Sequence, residues 1–445
     1  MHLPEAIGLK RGDAWAFVGA GGKTSAMFAL AHALKPPVVL TTTTHLGAWQ
    51  AGLADEHYIL NSPEWINSID FHHQKTILLT GPSGADKRLA GLEDEILDVI
   101  FQRCKELALP LLIEADGAGQ RYLKAPADYE PVIPEWVAGV VVMAGLGGLG
   151  KPLNHETVHR PEKFARLSGC EIGATVEAVH LEVVLSSKKG GLKSIPEGVR
   201  RVCFLNQAEG EALQEEGRRL ARDLDRTFER VLVGSLHQPG QNGPIFSVHA
   251  QTAGVILAAG ESDRLGRPKQ LLDWEGVPFV RQVALNALAA GLTPLIAVTG
   301  ASHKQVEDAL EGLNVDCVYN PDWSTGQSTS VQSGISALQE GTDSAMFLLS
   351  DQPQIGPNLI RNLRARYSEN RQPITAPMVK GQRGNPVLFS QSVFDALRQV
   401  RGDRGGRAVF DQFEVDWLPW DDERILLDVD EPGDYERLLE AFSKD

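Results

Sequence analysis

The chain has 445 residues, 42% hydrophobic and 23% charged, with a formal net charge of −15. That length exceeds what one core usually covers and points to two or three domains. The acidic balance excludes a broad electrostatic footprint for nucleic acid or an anionic membrane, so clustered basic residues are expected to be local anion sites. Cys104, Cys170, Cys203 and Cys317 stand far apart with no paired spacing, which argues against a zinc or disulfide framework and fits a reducing cytoplasm. The start, MHLPEAIGLKRGD, has no apolar core of signal-peptide length. The most apolar stretch, 137–150, is too short and glycine-rich to span a bilayer.

Residues 15–19 (WAFVG) read as a short apolar strand that runs into GAGGKTS at 19–25, followed by a helix with Met27, Leu30, Ala31 and Leu34 on one face. Strand, glycine loop, Lys-Thr and helix make the layout of a phosphate-binding loop. In that layout Gly19, Gly21 and Gly22 let backbone N–H groups cradle phosphate, Lys23 reaches its outer oxygens, and Thr24 offers a hydroxyl to magnesium. The match is to the shorter G-x-x-G-K-T form, because Phe17 stands where the full motif has glycine. A second strand, 37–40, ends in four threonines and His45; those hydroxyls either line a phosphate site or reflect threonine's β-propensity.

A third strand is expected at 77–80 and an amphipathic helix at 92–107. Residues 110–117 (PLLIEADG) then form a buried strand that delivers Glu114 and Asp116 on one face. Acid at the end of an apolar strand is what a magnesium site opposite a phosphate loop requires. A loop with Arg121 and Lys124 and a strand at 137–144 precede GLGGLGKPLNHETVHRPE at 145–162. His155 and His159, four apart, would share a face if helical; Pro161 and the lack of a third ligand favour anion or substrate contact over metal. The strand at 202–206 ends in NQAE, where Gln207 and Glu209 depart from the guanine-reading N-K-x-D, so the sequence does not support guanine specificity. A polar helix (209–224) and a strand (231–234) follow, and the turn formers at 237–244 read as an inter-domain linker. The expected domains are 1–245 and 246–445.

The second half opens on GVILAAGESDRLGRPKQ at 254–270. Residues 254–258 read as a buried strand. In the loop beyond it, Ala259 and Gly260 lack bulk and admit phosphate oxygens to the backbone, while Arg264 and Lys269 place positive charge where pyrophosphate would leave. Strands and helices then alternate as in a doubly wound sheet: helix 280–290, strand 295–299, helix 303–310, strand 315–319. Ser328, Thr329 and Ser330 follow Gly326 at a helix start, where hydroxyls either cap the helix or hold a base or ribose. The apolar strand 345–350 ends at Asp351, at the sheet edge where a nucleotide would bind. Residues 426–430 (LLDVD) are expected to be a strand with Asp428 and Asp430 on one face, Asp430 being either a second metal ligand or a helix cap.

The blocks GAGGKT, TTTTH, EADGAG with YLKAP, and GKPLN with TVHRPE together resemble the YqeC family, over residues 5–235. That resemblance implies a P-loop-like parallel-sheet accessory domain connected with selenium-dependent molybdenum hydroxylases, with Gly19, Gly21, Gly22, Lys23, Thr24, Glu114 and Asp116 as its nucleotide site. From 253 to 445 the chain resembles the MobA-like nucleotidyltransferases, most closely the molybdenum cofactor cytidylyltransferases, carried by the order L-A-A-G-x-S-x-R-x-G-x-x-K.

The second resemblance implies a Rossmann-like α/β domain that transfers CMP from CTP to molybdenum-bearing molybdopterin with Mg2+. Arg264, Lys269 and Asp351 would be catalytic, with Asp351 and Asp430 holding the metal. Leu257, Ala258, Ala259, Gly260, Ser262, Gly266, Ser328, Thr329 and Ser330 would hold the nucleotide. Arg383, Gly384, Asn385, Asp403 and Arg407 would hold the acceptor, although the family often has histidine where Asn385 stands and threonine where Glu431 stands. CTP rather than GTP follows from Leu257, Ala258, Ala259 and Gly260, where guanylyl-transferring relatives read L-A-G-G. The expected partners are the molybdenum cofactor and a molybdenum hydroxylase apo-enzyme. Two other readings remain at this point: a non-catalytic cofactor chaperone, and a nucleotidyltransferase for another phosphorylated small molecule.

Overall fold

The structure is a computed structural model that describes residues 1–71, 75–84, 88–238, 240, 243–261, 265 and 267–442, excluding the side chains of Asp403, Arg404 and Pro432. The chain divides into two compact units, Met1–Ala250 and Gln251–Asp445.

The first unit is built on nine strands: β1 (Ala14–Gly19), β2 (Val38–Thr42), β3 (Glu56–Ile59), β4 (Thr76–Thr80), β5 (Leu111–Glu114), β6 (Gly139–Gly145), β7 (Arg200–Asn206), β8 (Arg230–Gly234) and β9 (Ile245–Ala250). Their order in the sheet is β9-β8-β7-β6-β1-β5-β2-β4-β3. Neighbours are parallel except β8 and β9. Helices cover both faces, which is why β1 reads as an uninterrupted apolar run. Ala14, Ala16 and Val18 enter one core, and Trp15 and Phe17 enter the other.

The second unit carries β10 (Thr252–Ala258), β11 (Leu295–Thr299), β12 (Asp316–Tyr319), β13 (Ser344–Leu349), β14 (Ile374–Val379), β15 (Gln382–Arg383), β16 (Val387–Ser390) and β17 (Val415–Pro419). The order is β12-β11-β10-β13-β16-β14-β15, with β17 paired to β14. Strands β12 to β13 are parallel, but β16 runs antiparallel to both neighbours, so this sheet is mixed rather than wholly doubly wound. Ile256 and Ala258 of β10 pack on one side of the sheet and Ala253 and Val255 on the other. No helix among the described residues is long and apolar enough to cross a membrane.

Three local expectations are corrected. Residues 427–430 form no strand; a 3-10 turn, Glu423–Leu426, leads through them to helix Pro432–Phe442. His155 and His159 share no helix face, because 155 lies in a turn and His159 in the two-residue strand Val158–His159 paired with Leu123–Lys124. The turn formers at 237–244 lie inside the first unit, since β9 returns alongside β8; the junction falls at 250/251 rather than 245/246.

Candidate functional sites

In the first unit the glycine loop leaves β1 between β5 and β6, at the carboxyl edge of the sheet. Close approach makes glycine necessary here. Gly21 has φ 81°, and a Cβ on it would lie 2.2 Å from Gly145 N; a Cβ on Gly19 (φ 93°) would lie 2.2 Å from the Met143 carbonyl. Lys23 begins helix Lys23–Ala33, and its ammonium is buried. It donates to the Gly19 carbonyl at 2.7 Å and stands 3.1 Å from Asp116 and 3.9 Å from Glu114.

Burial opposes the Lys23 charge, but those two carboxylates override it and hold the ammonium above its ordinary value. Thr24 Oγ1 donates to Glu114 Oε2 at 2.7 Å, and Gly19 N donates to Asp116 Oδ2 at 3.0 Å. Lysine, threonine and both acids therefore converge, although β5 ends at Glu114 and Asp116 lies just beyond it.

The network runs further than the sequence indicated. Lys124 Nζ lies 2.8 Å from Asp116 and 2.7 Å from Glu130, which receives two hydrogen bonds from Arg160 at 2.9 and 3.1 Å. Burial raises the Glu130 carboxyl, yet hydrogen bonds from Arg160 and Lys124 bring it down to about 2. The threonines of the second strand are spent structurally: Thr41, Thr42 and Thr43 donate their hydroxyls to the carbonyls of Leu79, Glu114 and Val132. A cleft of about 460 Å3 opens over Lys23, Thr24 and Glu114.

In the second unit β10 and β13 are parallel neighbours, so the Ala259–Gly260 turn and Asp351 emerge side by side; Ser350 N donates to the Leu257 carbonyl at 3.3 Å. A Cβ on Gly260 would meet no atom of the described residues within 4 Å. Lys269 folds back to pair with Asp351, and its Nζ donates to Asp430 Oδ1 at 3.2 Å. Burial works against the Lys269 charge, but Asp351 above all, with Asp428 and Asp430, holds it well above its ordinary value. Burial and the adjacent Asp351 push the Asp428 carboxyl up to about 6. Buried Val429 anchors this acidic segment, and Gln354 Nε2 donates to the Leu427 carbonyl at 2.8 Å, tying it to the turn after Asp351.

Among the described residues no set of three or more His, Cys, Asp or Glu side chains is arranged to hold a metal ion by itself. Asp351 and Asp430 nonetheless offer the oxygen donors that magnesium prefers, and magnesium commonly takes one or two carboxylates with substrate phosphates completing its shell. Ser262, Arg264 and Gly266 lie outside the described residues, as does the Asp403 side chain.

The other expected positions divide. Arg383, Asn385 and Arg407 line one cavity of about 60 Å3 with Leu257 and Gln327. Arg383 stacks over Phe410 at 4.4 Å, and burial together with Arg407 lowers its pKa below the ordinary value. Gly384 is instead buried in packing, where a Cβ would lie 2.8 Å from Ile425 Cδ1. Asn320 Nδ2 donates to Thr329 Oγ1 at 2.9 Å and Ser330 Oγ at 3.1 Å, so both hydroxyls fix the local fold, and Ser328 is buried.

Residues 15–162 match the family model described as YqeC protein, and residues 254–416 match that described as MobA-like NTP transferase domain. The YqeC protein of Escherichia coli (strain K12) is 34% identical over 210 residues, which is 44% of this chain and 77% of that protein. Nicotine blue oxidoreductase of Paenarthrobacter nicotinovorans is 31% identical over 198 residues, 42% of this chain and 95% of that protein. The chain belongs to the YqeC family in its first half and to the MobA-like NTP transferases in its second. The MobA-like half is also 26% identical to the molybdenum cofactor cytidylyltransferase of Escherichia coli (strain K12) over 194 residues, 43% of this chain and 96% of that protein. The chain is accordingly a nucleotidyltransferase, with its MobA-like half joined to a YqeC half.

Proposed function

We propose that the MobA-like half transfers a cytidylyl group from CTP to the phosphate of molybdenum-bearing molybdopterin, releasing pyrophosphate. The observation that carries the reading is the meeting of Lys269, Asp351 and Asp430, with the neighbouring Gln270 bonded to the Gly260 carbonyl. An acceptor phosphate oxygen attacks the α-phosphorus in line, the bond to the bridging oxygen breaks, and its electrons leave with pyrophosphate. Lys269 offsets charge on the phosphates, and the backbone at Ala259 and Gly260 receives their oxygens. Asp351 and Asp430 would hold magnesium, which supplies charge neutralisation across the phosphates. Arg383 and Arg407, adjacent cations in one cavity, suit the anionic end of the acceptor. Cytosine and the pterin acceptor rest on the LAAG sequence and on likeness to the Escherichia coli cytidylyltransferase.

The YqeC half binds a magnesium nucleoside triphosphate through its glycine loop, Lys23 and Thr24, and serves delivery of the same cofactor to a molybdenum hydroxylase. The convergence of Lys23, Thr24, Glu114 and Asp116 under one cleft supports this. Lys23→Ala weakens that binding by about 10- to 150-fold, the loss of one charge-assisted contact.

Pyrophosphate release by the full-length protein, measured with CTP, GTP or ATP with and without molybdenum cofactor, tests the transfer. CTP with cofactor and magnesium is expected to turn over, and Asp351→Ala is expected to lower the rate about 10²–10³-fold or more. Near-normal turnover of Asp351→Ala at saturating magnesium would overturn the assignment of that residue. Turnover only with a different acceptor would overturn the substrate.

A further inference from the structure

The glycine loop of the YqeC half is flanked by two clefts rather than one. The first, over Lys23 and Thr24, has the charges that phosphates need. The second, about 440 Å3, lies at the carboxyl ends of β7 and β8 and shares Gly22, Ser25, Tyr122 and Gln207 with the first. A ligand of nucleotide length held at Lys23 has a direct path into it.

The wall of this second cleft is fastened to the loop. Asn206, the last residue of β7, donates from Nδ2 to the Gly21 carbonyl at 2.7 Å and accepts from Leu236 N at 3.0 Å. Both polar ends of its amide are thus used to hold β7, β8 and the glycine loop in one arrangement. The next residues are not fastened in this way. Gln207 has φ 63°, a costly conformation for a residue with a Cβ. Its Oε1 is buried against Gly145, with no hydrogen-bond partner among the described residues. Glu209 lines the same cleft, and no donor among the described residues meets its carboxylate. Lys151 lines the cleft as well, its Nζ 3.8 Å over the Tyr122 ring.

We infer that this second cleft is the base site of the nucleotide bound by the YqeC half, and that Glu209 reads a guanine. The inference rests on the nucleotide reading of the Lys23 loop given above. A half-exposed carboxylate lining a cleft accepts hydrogen bonds and so favours a ligand edge that brings donors. Guanine carries a ring N–H beside an amino group, two adjacent donors that match the two oxygens of one carboxylate. Adenine and cytosine bring an amino group next to a bare ring nitrogen, which would repel the second oxygen. Lys151, in the same lining, is a cation for guanine's remaining acceptors, O6 and N7. The departure from N-K-x-D is then a change of reading residue, from aspartate to Glu209, rather than loss of the function.

Photolabelling of the full-length protein with 8-azido-GTP and magnesium, followed by peptide mapping, separates this site from the nucleotide site of the other half. The adduct is expected on Tyr122 or within 207–213, to be suppressed by excess GTP or inorganic tripolyphosphate, and to disappear in Lys23→Ala. Glu209→Ala, a change at a half-exposed position, is expected to reduce first-half labelling about 10-fold or more while tripolyphosphate binding at that loop is unchanged. Glu209→Gln is expected to lose the preference for GTP over ATP as competitor. An adduct within 45–50, or equal competition by GTP, ATP and CTP in the unaltered protein, would overturn the base assignment and leave the phosphate loop standing. No adduct anywhere in 1–250 would overturn both.

Discussion

Lys23 and Lys269 occupy matching electrostatic positions on unlike folds. Each is held between carboxylates at the carboxyl edge of a sheet, and each stays charged despite burial because those carboxylates outweigh desolvation. Such arrangements are weak stability devices, since the cost of desolvating the ions consumes most of their attraction. They are suited to binding, because an incoming phosphate can replace a carboxylate at the ammonium. His159 reports on the first network. Burial, with Arg160 and Lys124 nearby, brings its imidazole down to about 4. The unfolded chain therefore binds more protons than the folded one between about pH 6.5 and 4, and stability falls as pH drops through that window. His159 is only half-buried, which moderates the effect. His159→Gln removes the titration, so its thermal midpoint should fall less than that of the unaltered protein between pH 6.5 and 4. Parallel midpoint curves would show that His159 is not held neutral.

At the scale of elements, the two phosphate turns use glycine for different reasons. Gly21 is pressed against the β6 backbone at positive φ, whereas a Cβ on Gly260 meets no atom of the described residues within 4 Å. Gly21→Ala should lower the unfolding free energy of the YqeC half, read from its urea transition, by more than about 1 kcal/mol and disturb nucleotide binding with it. Gly260→Ala should leave the midpoint unchanged and lower only cytidylyl transfer. Equal stability loss in the two variants would contradict the difference in packing.

Legibility followed the same physical lines. Central strands such as β1, β5, β6 and β13 were readable because burial on both faces gives uninterrupted apolar runs. Strand β14 was not, because Pro377 inside ITAPMV argues against a paired strand, yet β14 pairs on both sides. LLDVD shows the alternation of a strand, but Val429 is buried as a loop anchor before a helix. The pairing of Lys269 with Asp430 spans 161 positions, and no local pattern records it. The residue types of both sites were visible, while Lys124, Glu130 and Asn206 entered the first one only through the fold.

At the scale of the whole molecule, composition placed the boundary five residues before strand pairing ends. Proline and glycine at 237–244 look like a linker, but β9 pairs with β8 at Arg230↔Ala250, Val231↔His249, Leu232↔Val248, Val233↔Ser247 and Gly234↔Ile245. Ile245 and Val248 are buried in the first unit, and the Met1 amino group donates to the Ile245 carbonyl at 3.0 Å. Only Gln251 separates β9 from β10. A fragment ending at 244 would expose the hydrogen-bonding edge of β8, a template for aggregation, and lose two buried aliphatic side chains worth about 1.5–3 kcal/mol each. Fragment 1–250 should therefore unfold cooperatively from a soluble state, while 1–244 should aggregate or unfold at a clearly lower urea concentration. Fragment 251–445 should retain metal-dependent pyrophosphate release from CTP and cofactor. If 1–244 matched 1–250 in stability, β9 would be dispensable to the first unit. If 251–445 folded without activity, the transfer reaction would require the YqeC half, and the two units would be one enzyme.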